Sequence, residues 1–225
     1  MKLKSEFESL FNKTKAVLFD LDGSLMDSMW MWKDIDIQYL RKFNIECPDD
    51  LQKNIEGLSV VETAVYFQNT FGIKDSVSDI LEYWNMMAFD KYSNEVALKP
   101  GAGEFLKFCA ERKIKLGICS SNTKQLLEAV LVSNKVKDLF EIVISGEDVN
   151  KGKPNPECYL TAAGILGVEP ENCLVFEDIP MGIEAGLNAN MTVFAVEDDY
   201  SKHYKNQKMN MSHYFINDYT ELFED

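Results

Sequence analysis

AVLFDLDGSLMDS, residues 16–28, is the stretch on which the reading of this chain turns. Four apolar residues run into Asp20, a second carboxylate follows at Asp22, and Gly23 comes at once. The run reads as a buried strand over 16–21. A carboxylate at the end of such a strand is costly unless a cation or hydrogen bonds offset it. Taken alone, Asp22-Gly23 makes a turn and Asp27-Ser28 a helix cap. The rest of the chain decides whether the pair means more.

The composition narrows the choice. A chain of 225 residues suits one large domain, or one domain with an insert, and a hydrophobic fraction of 46% supports a substantial core. A formal net charge of −14 disfavours nucleic acid and anionic membrane as partners. A small phosphorylated substrate stays possible, because a bound metal ion can make one site locally cationic. The start, MKLKSEFESLFNKTK, is too charged for a signal peptide, and Phe7, Leu10 and Phe11 have the spacing of a short docking helix. No apolar run is long enough to span a bilayer. The five cysteines (Cys47, Cys109, Cys119, Cys158 and Cys173) form no CxxC and read as reduced thiols of a cytoplasmic protein. Histidine occurs only at His203 and His213, which argues against Ser-His-Asp or Cys-His catalysis and against a Cys/His zinc site. A monomer is slightly favoured, though nothing in the sequence marks the oligomeric state.

Organisation follows from periodicity. Between 28 and 94 the apolar positions are helical throughout, in MWMWKDIDIQYLRKF, VVETAVYFQNTFG and VSDILEYWNMMAFDKY. After Pro100, helical stretches at 103–113, 123–132, 156–167 and 181–189 alternate with strands at 114–119, 140–145, 172–177 and 191–196. A short strand at 213–217 and a terminal helix close the chain. This rhythm predicts an α/β fold: a doubly wound, Rossmann-like parallel sheet core, residues 1–23 and 98–225, with an all-helical insert over 24–97. Such sheets bind ligands at the carboxyl ends of their strands, where Asp20 and Asp22 fall.

The other strand ends carry related chemistry. They read Cys119-Ser120-Ser121-Asn122, then Ser145-Gly146-Glu147-Asp148 with a loop running through Lys153, then Phe176-Glu177-Asp178. Each of these could merely cap a helix or sit solvated in a loop. Together at successive strand ends they suit phosphoryl transfer. A carboxylate can attack phosphorus, Mg²⁺ with oxygen ligands can screen two mutually repelling anions, and a hydroxyl and an ammonium can hold phosphoryl oxygens. The i, i+2 spacing of Asp20 and Asp22 lets one act as nucleophile and the other shuttle a proton.

With these residues in view the chain resembles the haloacid dehalogenase-like hydrolase superfamily, in its branch of small phosphatases and β-phosphoglucomutase. DLDGSLMDS is similar to the first motif of that family, with Ser24 where Thr or Val is more usual. LGICSSN, GKPNPECY and VFEDIPMGIEAGLNA are similar to the second, third and fourth, with Ile179 where Ser is common. The resemblance implies Asp20 as nucleophile and Mg²⁺ ligand, and Asp22 as general acid/base with its backbone carbonyl on the metal. It implies Ser120 and Lys153 on phosphate, with Ser121 and Asn122 as neighbouring substrate-binding candidates. It implies Asp178 as a metal ligand, supported by Glu177, and the helical block as a mobile cap. The expected activity is a Mg²⁺-dependent phosphatase on a small phosphorylated metabolite, through an aspartyl-phosphate; the alternative is a β-phosphoglucomutase-like isomerase. The mutases of this branch carry a histidine in the first cap helix and an arginine after a Gly-x-Ser turn. Here those places hold Trp32 and, after Gly57-Leu58-Ser59, Val60, which favours hydrolysis.

Overall fold

The computed structural model describes residues 2–55 and 58–224. Helix α1 (Ser5–Lys13) buries Phe7 and Phe11, two of the three positions expected to dock, and leads into strand β1 (Ala16–Phe19). β1 is buried at every position, as a central parallel strand must be. It ends two residues earlier than its apolar pattern suggests. The Leu21 carbonyl accepts from the amides of Leu25 and Met26, at 3.1 and 2.9 Å, and curls the chain into a turn after Asp20. Strand β2 (Met26–Asp27) follows.

Helices α2 (Trp30–Arg41), α3 (Leu51–Ile55), α4 (Val60–Phe71) and α5 (Val77–Asn94) form a compact helical unit over Trp30–Glu95. Its interior is aromatic: Tyr39 and Phe67 both meet Trp84 edge-on, at 5.8 and 5.0 Å between ring centroids. Both α4 and α5 start with reciprocal capping boxes, Ser59 with Glu62 and Ser76 with Asp79, so their first turns are satisfied from within the sequence. The short α3 escapes periodicity because five residues are too few to show it. Gly57, of the Gly57-Leu58-Ser59 turn, lies outside the described residues.

The second unit joins Met1–Met29 to Val96–Asp225. Strand β3 (Ala97–Leu98) pairs antiparallel with β2. Then come α6 (Ala102–Glu111), β4 (Lys115–Cys119), α7 (Lys124–Ser133), β5 (Ile142–Ile144), α8 (Glu157–Leu166), β6 (Cys173–Glu177), α9 (Pro180–Asn188), β7 (Thr192–Val196), α10 (Lys205–Met211) and β8 (Tyr214–Ile216). Among the described residues the sheet has six strands in the order β5-β4-β1-β6-β7-β8, with every pair parallel. The chain builds outward from β1 on one side, then returns and builds outward on the other. The order therefore switches at β1, the doubly wound arrangement expected.

Each face of the sheet is covered. Phe19, Phe105, Phe176, Phe194 and Tyr219 are all fully buried, and Phe176 stacks on Phe194 at 4.8 Å. On the opposite face Ala16, Leu18 and Val175 pack with Tyr159, Ala162 and Ile183 from α8 and α9. Two expectations near the end of the chain are corrected. The terminal helix is a single 3₁₀ turn, Tyr219–Leu222, because Phe223 leaves it to bridge Leu3. The helix α10, which sequence periodicity did not announce, lies instead between β7 and β8.

Candidate active site

The register sets Phe19 beside Ile118 on one side and Phe176 on the other. The next residue, Asp20, therefore emerges at the switch point between the ends of β4 and β6. Its amide still donates to the Phe176 carbonyl, at 2.9 Å, so its backbone is held as part of the sheet.

Three carboxylates meet there. Asp20, Glu177 and Asp178 each offer an oxygen within 4.8 Å of the others. Glu177 is fully buried and Asp178 nearly so. Two glycines make room for them. A Cβ on Gly182, in the first turn of α9, would lie 2.0 Å from Glu177 Oε1. A Cβ on Gly23 would lie 2.4 Å from Asp178 Oδ2, and Gly23 also has φ +78°, which L side chains rarely adopt.

Lys153 is the cation of the cluster. Its Nζ donates to Asp20 Oδ1 and Glu177 Oε1, both at 2.6 Å, and to the Cys119 carbonyl at 3.0 Å. Burial alone would lower its pKa, but the carboxylates of Asp20 and Glu177 outweigh this and hold it well above its ordinary value. Burial, then repulsion from Asp20, pushes Glu177 up to about 7 against the pull of Lys153. Asp178 is raised well above the usual carboxylate range by burial and by the charges of Asp20, Glu177 and Asp198. Tyr159, six positions beyond Lys153, donates its hydroxyl to Glu177 Oε1 at 2.5 Å. Glu177 Oε2 is buried without a hydrogen-bond partner among the described residues. An orphaned buried carboxylate oxygen within reach of two other acids fits a hard divalent cation, which takes oxygen ligands.

Asp22 stands apart from this cluster, its carboxylate gripped at both oxygens. Ser28 donates its hydroxyl to Oδ1 at 2.6 Å and Asn122 its amide to Oδ2 at 2.7 Å. The Ser28 side chain, readable as a helix cap, is thus spent on Asp22. Asn122 is brought to the first motif from a hundred residues away. Ser120 is nearly buried at the end of β4, and its Oγ accepts from the Asn122 backbone N–H at 3.2 Å. Ser121 is exposed, and no side-chain hydrogen bond ties it to the other candidates among the described residues.

Of the residues that pattern singled out, the fold thus brings Asp20, Lys153, Glu177 and Asp178 into one cluster, and Asp22 with Asn122 beside Ser120. Pattern missed Tyr159 and Ser28. Tyr159 lay inside the quoted GKPNPECY stretch, where a tyrosine on the sheet-facing side of α8 is the available signal.

A doubly wound α/β protein with an inserted helical unit and acids at its switch point belongs to the class of sheet enzymes that work at strand C-termini. Residues 17–196 match the model of the haloacid dehalogenase-like hydrolases, and the chain belongs to that family. It is a phosphatase of that type. It is 29% identical over 177 residues to a phosphorylated carbohydrates phosphatase of Thermotoga maritima, covering 79% of this chain and 82% of that one. It is likewise 29% identical over 187 residues to hexitol phosphatase B of Escherichia coli K12, covering 80% and 82%. A crystal structure titled a putative β-phosphoglucomutase from Thermotoga maritima superposes with a TM-score of 0.78 at 25% identity, covering 90% of this chain and 94% of that one. No helix among the described residues is long and apolar enough to cross a membrane.

Proposed function

We propose that the protein is a Mg²⁺-dependent phosphohydrolase of small phosphorylated metabolites, with Asp20 as the nucleophile. The observation that carries this is the position of Asp20: at the switch point, paired with Lys153, and within ligand distance of Glu177 and Asp178. The relatives named for phosphorylated carbohydrates and hexitols support a small polyol or sugar phosphate as substrate.

In this reading Asp20, Asp178 and the Asp22 carbonyl would hold Mg²⁺, with Glu177 supporting them. Bound there, Mg²⁺ would supply charge screening between the Asp20 carboxylate and the incoming phosphate. A carboxylate oxygen of Asp20 attacks phosphorus as the P–O bond to the leaving group breaks. Asp22, held in place by Ser28 and Asn122, gives its proton to the departing alkoxide. Ser120 and Lys153 hold the phosphoryl oxygens as charge moves over them. Asp22, now a base, takes a proton from water, which attacks the aspartyl-phosphate and releases inorganic phosphate. Ser121, exposed just past the end of the same strand, would serve as a substrate contact. The helical insert expected over 24–97, whose helices fall within Trp30–Glu95, acts as the cap that selects the metabolite.

The test is phosphate release from a panel of phosphorylated metabolites with Mg²⁺ and with EDTA. Turnover of polyol or sugar phosphates that EDTA abolishes is expected; equal release in both arms would refute the metal's role. One further arm supplies β-glucose 1-phosphate with catalytic glucose 1,6-bisphosphate. Glucose 6-phosphate forming faster than free phosphate would replace hydrolysis with the mutase reading.

A further inference from the structure

The segment that follows β7 does not belong to any of the quoted motifs, yet it reaches the acid cluster from behind its backbone. Lys208, on α10, is fully buried. Its Nζ donates to Ser201 Oγ at 2.9 Å and to the Val196 carbonyl at 3.2 Å, with a longer contact to Glu197 Oε1 at 3.5 Å. Ser201 is itself 1% exposed, and its Oγ donates to the backbone carbonyl of Asp178 at 2.9 Å. An ammonium has no lone pair, so Lys208 can only donate to Ser201. That occupies the hydroxyl's acceptor side and turns its single proton toward a carbonyl. The Asp178 carbonyl at 2.9 Å is much nearer than that of Asp198 at 3.5 Å.

The recipient of this relay matters. The first carbonyl that α9 uses is that of Ile179, which accepts from Ile183, so the Asp178 carbonyl falls just outside the helix ladder. The loop that brings Ser201 is itself fixed. Lys99 Nζ donates to the Glu197 carbonyl at 2.8 Å and to Asp198 Oδ2 at 2.9 Å, and the Tyr200 amide donates to Asp198 Oδ1 at 2.9 Å.

We propose that Ser201 and Lys208 are positioning residues for Asp178: the relay from Lys208 through Ser201 to the Asp178 carbonyl pins the turn between β6 and α9 and so sets the aim of the Asp178 carboxylate toward a divalent cation. This rests on the reading of Asp178 as a metal ligand. Partners one step removed from a metal ligand change affinity because they remove the freedom of the ligand to point elsewhere.

The test uses the full chain and Mn²⁺ as a paramagnetic stand-in for Mg²⁺, with bound metal read by electron paramagnetic resonance. Ser201→Ala is expected to weaken Mn²⁺ binding about tenfold, the lower end for such partners. Ser201→Thr, which keeps the hydroxyl, is expected to restore it to within about twofold. Lys208→Met is expected to weaken binding several-fold while Ser201 remains. A merely structural bond would lower the melting temperature of Ser201→Ala and leave its Mn²⁺ affinity at the wild-type value, and that result overturns the proposal. So does Ser201→Thr binding as weakly as Ser201→Ala. Wild-type protein that binds no Mn²⁺ would instead bring down the metal reading on which the proposal rests, and the wild-type arm alone reveals it.

Discussion

Glu177 at the end of β6 and Asp36 in the middle of α2 are both buried acids, one in each unit, and their company differs. Glu177 shares Lys153 with Asp20 and accepts from Tyr159. Asp36 has a neutral partner, Gln52, whose Nε2 donates to Oδ2 at 2.7 Å, and burial pushes it up to about 6. A neutral amide offsets part of the desolvation cost but brings no charge of its own. The sheet unit therefore sets its acids beside a built-in cation, at a place where the strand order switches. The helical unit carries an acid that costs stability. Burial of a carboxylate is common to both; the lysine and the second and third carboxylates mark the site.

That contrast can be broken by mutation, most sharply at Asp20. Asp20→Asn removes the attacking oxygen's charge and a metal ligand together, and turnover is expected to fall by at least about a thousandfold with the fold retained. Activity near wild type, in protein checked by mass spectrometry for deamidation, would remove Asp20 from its role. Asp22→Ala is expected to cost about 10²–10⁴-fold on alkyl phosphates, the range for a lost general acid. An aryl phosphate, whose leaving group needs no proton, should suffer far less, and equal losses on both would show that Asp22 does not act mainly as an acid.

Asp36 is expected to give the opposite kind of result. Its folded-state pKa lies above its ordinary value, so the folded protein holds the proton between about pH 4 and 6 where the unfolded chain has released it. Stability is thus lost as pH rises through that window. Asp36→Asn mimics the protonated form and removes the slope. Urea denaturation should find it about 1–3 kcal/mol more stable than wild type at pH 7.5 and close to wild type at pH 4, with turnover unchanged. A variant less stable at pH 7.5 would mean that Asp36 is paired well enough to favour its charge.

The two units also differ in how far sequence discloses them. The doubly wound parallel sheet and the grouping of Asp20, Lys153, Glu177 and Asp178 were readable, because alternation sets the strands and parallel sheets collect chemistry at one edge. In the helical unit the three long helices were readable from the same periodicity, but α3 was too short to show any. The relay through Ser201 and Lys208 was not readable at all. Its members sit in a loop and a seven-residue helix with no apolar period, and only the packing of α10 against α9 and β8 sets Lys208 on Ser201. Asn122 was read as a substrate contact from its place at a strand end; its engagement with Asp22 depends on a turn a hundred residues earlier.

Gly182 sets a boundary on how this protein can be improved. Alanine is the best helix former, and replacing a helical glycine with it ordinarily gains up to about 1 kcal/mol. In the first turn of α9 that exchange would drive a methyl group into the Glu177 carboxylate, 2.0 Å from Oε1. A stabilisation campaign guided by helix propensity alone would pick this position early and would displace Glu177, the acid that holds Lys153 beside Asp20. The weak spot in α9 is a lasting concession of foldedness to chemistry, made at a single missing carbon.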